Sequence, residues 1–304
     1  MEDDAAGLSA IVLGAAAGGG FPQWNCGCRL CRLARAGDPR VRPATQASVA
    51  LSGNGAEWVI VGASPDLRQQ ILRTPQLWPG AGLRHSPIVA VVLLGADIDA
   101  IAGLLTLRER QPFTVYAAPP ILTNLRDNPI FGVLDPAIVT LRPFAAGQTL
   151  ACGAGLELTL LEMPGKLPLY RETPGATIAE PGEGYAARLS AYGRSTLIAP
   201  ACAQVSLPVR RWLEDVDLVF FDGTLFTDDE MIVAGLGHKT GRRMGHLPIS
   251  GAGGTLEALS GLAARRILLH INNSNPILLA GSPERRLVEA AGFEIAYDGM
   301  EVRA

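Results

Sequence analysis

Cys26, Cys28 and Cys31 place three soft sulfur donors within six residues, in the loop Cys26-Gly27-Cys28-Arg29-Leu30-Cys31. Thiolate suits Zn²⁺, and this spacing can organise a loop that has little structure of its own. The polar neighbours Asn25, Gly27 and Arg29 argue against three cysteines packed as small apolar residues. A structural zinc needs a fourth ligand. Cys152 and Cys202 are candidates, although each lies in or beside a strand pattern, as a core cysteine would.

A second set of metal-competent side chains is scattered along the chain but recurs at the ends of elements. Asp97 and Asp99 follow the apolar run Val91-Val92-Leu93-Leu94, Asp222 closes Val219-Phe220-Phe221, His246 precedes a helix start at Pro248, and His270 ends Leu268-Leu269. Open α/β sheets collect ligands at such strand ends. Each residue also has a plainer reading: Asp99 alone reads as a helix N-cap, and a strand-end histidine is often structural. Nucleophilic catalysis has little support, because no Gly-x-Ser-x-Gly elbow occurs and Cys202 has no evident base.

The elements that must position these residues follow from periodicity. Strands are predicted at Ser9–Leu13, Ala47–Leu51, Trp58–Val61, Val91–Leu94, Phe113–Ala117, Ile138–Leu141, Leu156–Leu161, Ala186–Ala191, Thr196–Ile198, Asp217–Phe221, Arg266–Ile271 and Phe293–Ala296. Gly53-Asn54-Gly55 predicts a hairpin turn between the second and third. Helices are predicted after Ser64-Pro65-Asp66, from Asp99 to Arg110, and at Ile121–Arg126, Ala203–Leu213, Thr227–Val233, Ile249–Ala264 and Pro283–Ala290. The glycine-rich loop Gly14–Gly20 lacks both the spacing and the following helix of a dinucleotide site. Pro164–Gly184 reads as an exposed loop beside a substrate. Helices after strands in both halves, with a strand series between, predict an α/β fold: a single domain over residues 1–304, an αββα sandwich of two mixed β-sheets with helices outside.

Length and composition fit a globular chain, 304 residues of which 48% are hydrophobic. A formal net charge of −3, with no long basic run, argues against a nucleic-acid or anionic-membrane surface and favours a small-molecule or peptide partner. No signal peptide or membrane span is evident, so a cytoplasmic location is expected.

Taken together, these segments resemble the metallo-β-lactamase-fold superfamily and, within it, the pyrroloquinoline quinone biosynthesis protein B family. The resemblance is carried by Gly18-Gly19-Gly20-Phe21-Pro22-Gln23-Trp24-Asn25-Cys26 with Cys28 and Cys31, Ala63-Ser64-Pro65-Asp66, Asp97-Ile98-Asp99, Met163-Pro164-Gly165-Lys166, Phe221-Asp222-Gly223-Thr224-Leu225, Gly245-His246-Leu247-Pro248, His270-Ile271-Asn272-Asn273 and Tyr297-Asp298-Gly299-Met300.

That resemblance implies a role in making the redox cofactor pyrroloquinoline quinone (PQQ). The activity implied is Fe(II)- and dioxygen-dependent hydroxylation of the tyrosine ring of a cross-linked Glu-Tyr precursor, with other PQQ biosynthesis proteins as partners. It also implies a structural zinc at Cys26, Cys28 and Cys31. In the related phosphoribosyl cyclic phosphodiesterase family the fourth ligand is a histidine three residues after the strand-end histidine, and here that position is Asn273.

The superfamily's His-x-His-x-Asp-His motif falls on Gly95, Asp97, Asp99 and Ala100, so the implied iron ligands are Asp97, Asp99, His246 and His270, with Asp222 in a catalytic role. Ala100 departs even from the nearer family, which keeps a histidine there. Lys166 and Arg171 are candidates to pair with substrate carboxylates. The competing readings are a carrier that holds the quinone at an inactive metal site and, with fewer histidines than it needs, a metal-dependent phosphodiesterase.

Overall fold

A computed structural model describes residues 7–166, 168–171 and 184–304. Its strands are β1 (Ser9–Gly14), β2 (Ser48–Ser52), β3 (Trp58–Val61), β4 (Ile88–Leu93), β5 (Phe113–Ala117), β6 (Val139–Pro143), β7 (Thr149–Gly153), β8 (Leu156–Met163), β9 (Gly184–Ala191), β10 (Arg194–Ala199), β11 (Leu218–Asp222), β12 (Arg265–Leu269), β13 (Phe293–Ile295) and β14 (Met300–Arg303). They form two seven-stranded sheets, ordered β14-β1-β2-β3-β4-β5-β6 and β13-β12-β11-β10-β9-β8-β7.

The two sheets share one pairing plan. From β14 to β6, and again from β7 to β13, three antiparallel pairings are followed by three parallel ones. Parallel strands are covered on both faces, which is why Ala90–Leu93 and Leu218–Asp222 are buried without interruption. Side-chain alternation divides the second sheet. Leu218, Phe220, Ile267 and Leu269 join the core shared with the first sheet, while Val219, Phe221 and Leu268 pack with Val209, Leu213 and Val288 of the outer helices. This is the αββα sandwich expected from the sequence.

Several elements differ from expectation. The edge strands β7 and β14 carry mixed exposure and escape a search for apolar runs. The helix expected over Ile249–Ala264 is reduced to Thr255–Ala258, because Gly251, Gly253 and Gly261 take positive φ and break the run. After β4 the chain makes one α-helical turn, Ile98–Ile101, and continues as a 3-10 segment, Ala102–Leu107. Its N-cap is Asp97, not Asp99, which lies in the first turn with its carboxylate engaged elsewhere.

Candidate metal centre

Both sheets direct the carboxyl ends of their parallel strands to one edge. Asp97 follows β4, Asp222 is the last residue of β11, and His270 follows β12. The parallel register sets Asp222 opposite Leu269, so His270 begins where its strand ends, beside Asp222. His270 holds φ of 61°, a conformation uncommon outside glycine. The backbone there is pinned from the glycine-rich loop: Ala17 N–H donates to Ile271 O (2.9 Å) and Ile271 N–H donates to Ala15 O (2.9 Å). A β-carbon on Gly18 would stand 3.2 Å from Asp99 Oδ2, so this glycine makes room for the carboxylate rather than for a phosphate.

Asp222 is fully buried and accepts four contacts. Its Oδ2 takes the Cys202 amide (3.0 Å) and lies 2.9 Å from His246 Nδ1; its Oδ1 takes the amide (3.0 Å) and hydroxyl (2.7 Å) of Thr224. These partners assign the protons. A carboxylate only accepts, so His246 Nδ1 carries hydrogen and Nε2 is left with its lone pair. With its proton given to Asp222, the Thr224 hydroxyl accepts from His270 Nδ1, 2.9 Å away. His270 Nε2 then faces Asp99 Oδ2 at 3.2 Å, a contact that needs a proton or a cation between the two atoms.

The electrostatics agree. Burial works to raise the Asp99 carboxyl, but the hydrogen bond and charge of His270 outweigh it and hold Asp99 below its ordinary range. Burial alone would depress His270, whereas Asp99, Asp222 and Asp97 together raise it. The two imidazoles stack with centroids 5.2 Å apart.

Donor atoms of Asp222, His246 and His270 lie within 4.8 Å of one another. The Nε2 atoms of His246 and His270, with the Asp99 carboxylate against the second and Asp222 fixing the imidazoles from behind, would suit a divalent ion of N/O preference such as Fe(II) or Zn²⁺. Of the residues singled out in the sequence, Asp97 stands outside this group, its Oδ1 3.4 Å from Lys166 Nζ. Asp97, Asp99, Lys166, His246 and His270, but not Asp222, line a cavity of about 590 Å³, along with Ala100, His238 and Lys239. Arg171 is not among its described lining residues; its guanidinium bonds Asn124 Oδ1 at 2.9 Å. Most of the loop from 164 to 184 lies outside the described residues. Thr224, which ties the cluster together, was not singled out from the sequence; the Gly-Thr turn directly after Asp222 was its only signal.

The cysteines form a separate cluster at the start of the helix Arg29–Arg35, with Cys28 as its N-cap. Asn273 Nδ2 lies 3.1, 3.8 and 3.4 Å from the sulfurs of Cys26, Cys28 and Cys31, so an amide end occupies the position of a fourth ligand. Burial pushes the Cys31 thiol up to about 11. Burial also opposes ionisation of Cys28, but hydrogen bonds from the Cys31 and Leu30 backbone and from neighbouring thiols hold it below its ordinary value. Cys152 and Cys202 belong to neither cluster. Their sulfurs are buried and donate to Leu156 O and Gln204 O, and burial raises both to about 12.

Two sheets with a histidine–carboxylate cluster on one edge define the β-lactamase superfamily fold, and the model of the beta-lactamase superfamily domain matches residues 57–271. More narrowly, the chain belongs to the coenzyme PQQ synthesis protein B family. It is 53% identical over 304 residues to coenzyme PQQ synthesis protein B of Gluconacetobacter diazotrophicus, covering 97% of this chain and 99% of that one. The protein of the same name from Rhizobium meliloti is 51% identical over 298 residues, covering 97% and 98%. The crystal structure of Zn²⁺-bound PqqB from Methylobacterium extorquens superposes with a TM-score of 0.95 at 46% identity, over 97% of this chain and 99% of that one. A diphosphatase of the PhnP family, 18% identical over 98% of this chain and 97% of its own, shares the fold with a TM-score of 0.69.

No helix among the described residues is long and apolar enough to cross a membrane.

Proposed function

We propose that this chain acts in coenzyme PQQ synthesis, hydroxylating the tyrosine ring of a cross-linked Glu-Tyr precursor with Fe(II) and dioxygen. The observation that carries this reading is the pair His246 and His270, tied to the buried Asp222 through Thr224 and with Asp99 against it, on the wall of a cavity large enough for a bicyclic aromatic ligand. Iron would supply the dioxygen chemistry that the side chains lack. In the balanced reaction one oxygen atom enters the ring and the other leaves as water, with two electrons and two protons from an external reductant.

The chain's own contribution is positional. Asp222 and Thr224 fix the imidazole tautomers, so that His246 and His270 each offer Nε2 as a ligand. Asp99 Oδ2 stands where it can hold a proton or a cation beside His270 Nε2. Apolar wall residues Val61, Leu94 and Ile198 suit a flat ring and exclude water from it. A structural Zn²⁺ is assigned to Cys26, Cys28 and Cys31, supported by the softness of their donors and by the zinc-bound Methylobacterium relative.

The carrier reading draws on a different observation: Asp97 and Asp99 are already engaged by Lys166 and His270, in a site that has Ala100 in place of the histidine the resemblance implies. One assay separates the two. After anaerobic Fe(II) reconstitution, oxygen, ascorbate and the cross-linked dipeptide are added and the product is weighed by mass spectrometry. A gain of one oxygen atom is expected. Tight binding without any such product, from protein shown to hold iron, would overturn the enzyme reading in favour of the carrier.

A further inference from the structure

Two carboxylates that belong to neither metal-competent cluster hold the two ends of the glycine-rich loop. Asp298, in the turn between β13 and β14, accepts the Ala15 amide through Oδ1 (3.1 Å) and the amide (2.8 Å) and hydroxyl (2.7 Å) of Thr45 through Oδ2. Asp66 turns a single oxygen to Gln46. Its Oδ2 accepts both the backbone amide (2.9 Å) and the side-chain amide (3.0 Å), and Gln46 Oε1 in turn accepts the Gly19 amide (3.1 Å). Although Asp66 stands at the N-cap of the helix Leu67–Arg73, its side chain makes no cap bond there.

Between these ends the loop touches both partners of the contact that joins the two sheets. Ala16 forms parallel bridges to Gln46 on one side and to Ile271 on the other. Ala15 O and Ala17 N–H hold the Ile271 backbone, one residue beyond His270, and Gly18 abuts Asp99 Oδ2, the atom that faces His270 Nε2.

We propose that Asp66 and Asp298 are positioning residues of the metal centre: by fixing Gly19 and Ala15 they set the gap between Asp99 and His270 and, with it, the affinity for the ion. This rests on reading the histidine–carboxylate cluster as a metal centre.

The hydrogen bonds make the two carboxylates unequal under amide substitution, because an asparagine keeps one acceptor oxygen and replaces the other with a donor. At position 66 one oxygen takes both donors, so Asp66→Asn keeps the clamp. At position 298 both oxygens accept, so Asp298→Asn must turn its N–H₂ group toward Ala15 or Thr45. Loss of negative charge near the ion would not follow that rule, since both asparagine variants share it.

The test measures Fe(II) affinity of zinc-replete protein against a competing chelator and, in iron-free protein, amide hydrogen exchange of segments 15–20 and 269–273 by mass spectrometry. In Asp66→Ala, Gln46→Ala and Asp298→Asn, iron affinity is expected to fall about tenfold or more, and exchange in both segments to speed up about tenfold. Asp66→Asn should stay within about twofold of native in both readouts. Asp217→Asn, at the far end of β11 from Asp222, controls for general destabilisation and should change neither. Circular dichroism and zinc content identify any variant that has lost its fold, and the comparison of Asp66→Ala or Gln46→Ala with Asp66→Asn then decides alone. Either readout within about twofold of native in Asp66→Ala and Asp298→Asn would overturn the proposal, as would equal losses in Asp66→Asn or Asp217→Asn. If native protein takes up no iron, exchange decides: the expected pattern keeps the clamp and removes the metal reading, whereas unchanged exchange overturns the clamp.

Discussion

His270 Nε2 lies 3.2 Å from Asp99 Oδ2, a contact that joins the end of β12 in one sheet to the turn after β4 in the other. Through it the candidate metal centre draws on both halves of the sandwich. Asp99→Asn keeps the shape of the side chain and removes its charge. Iron affinity is expected to fall about tenfold or more, with thermal unfolding little changed; Fe(II) titration with a competing chelator measures the first and calorimetry the second.

Thr224 gives a sharper test of how the cluster is held. In Thr224→Val, Asp222 Oδ1 loses its hydroxyl donor in a fully buried setting, which should cost about 1–3 kcal/mol of stability and free the His270 tautomer. Thr224→Ser restores the hydroxyl and should recover both stability and metal affinity. Urea unfolding and the visible spectrum of the Co²⁺-substituted protein would check the pair; equal behaviour of the two variants would remove Thr224 from its positioning role.

The cysteine cluster is expected to govern His270 at a distance, because Asn273 meets its sulfurs three residues beyond the histidine. Removing zinc with a chelator, or substituting Asn273→Ala, should loosen the loop 270–275 and lower iron affinity, whereas His270→Ala should leave zinc content unchanged. Metal content by atomic emission reads both directions. An iron site indifferent to zinc loss would show that the two clusters are independent.

Asp217, at the entry to β11, predicts a pH dependence. Burial opposes its ionisation, but Arg194 and the Ser195 amide outweigh burial and hold the carboxyl below its ordinary range. A depressed carboxyl stabilises the fold above its unfolded pKa of about 3.9, and that contribution is lost as pH falls through the lowered value. Asp217→Asn should therefore be about 1 kcal/mol less stable than native at pH 7, and the two should converge in acid; urea unfolding at both pH values measures it.

The parallel strands were legible because a strand covered on both faces must be apolar throughout, as Val91–Leu94 and Val219–Phe221 are. Edge strands β7 and β14 have no such constraint, and their mixed patterns carry little signal. The run from Ile249 to Ala264 has helical spacing, yet Leu259 and Leu262 reach the outer core of the second sheet from turns that the glycines create. At the site, the strand-end positions of Asp222 and His270 were visible, while their register and the Thr224 bridge are products of tertiary pairing.

On the proposed reading, Asp99, His246 and His270 hold a divalent ion despite Ala100, with Asp222 fixing the imidazoles. Iron and zinc counted per chain in anaerobically Fe(II)-reconstituted protein test it most directly, in native protein, His270→Ala and Ala100→His. Iron is expected near equimolar in native protein, lost in His270→Ala and bound more tightly in Ala100→His, with zinc constant throughout. Native protein that takes up no iron, or iron uptake unaffected by His270→Ala, would contradict it.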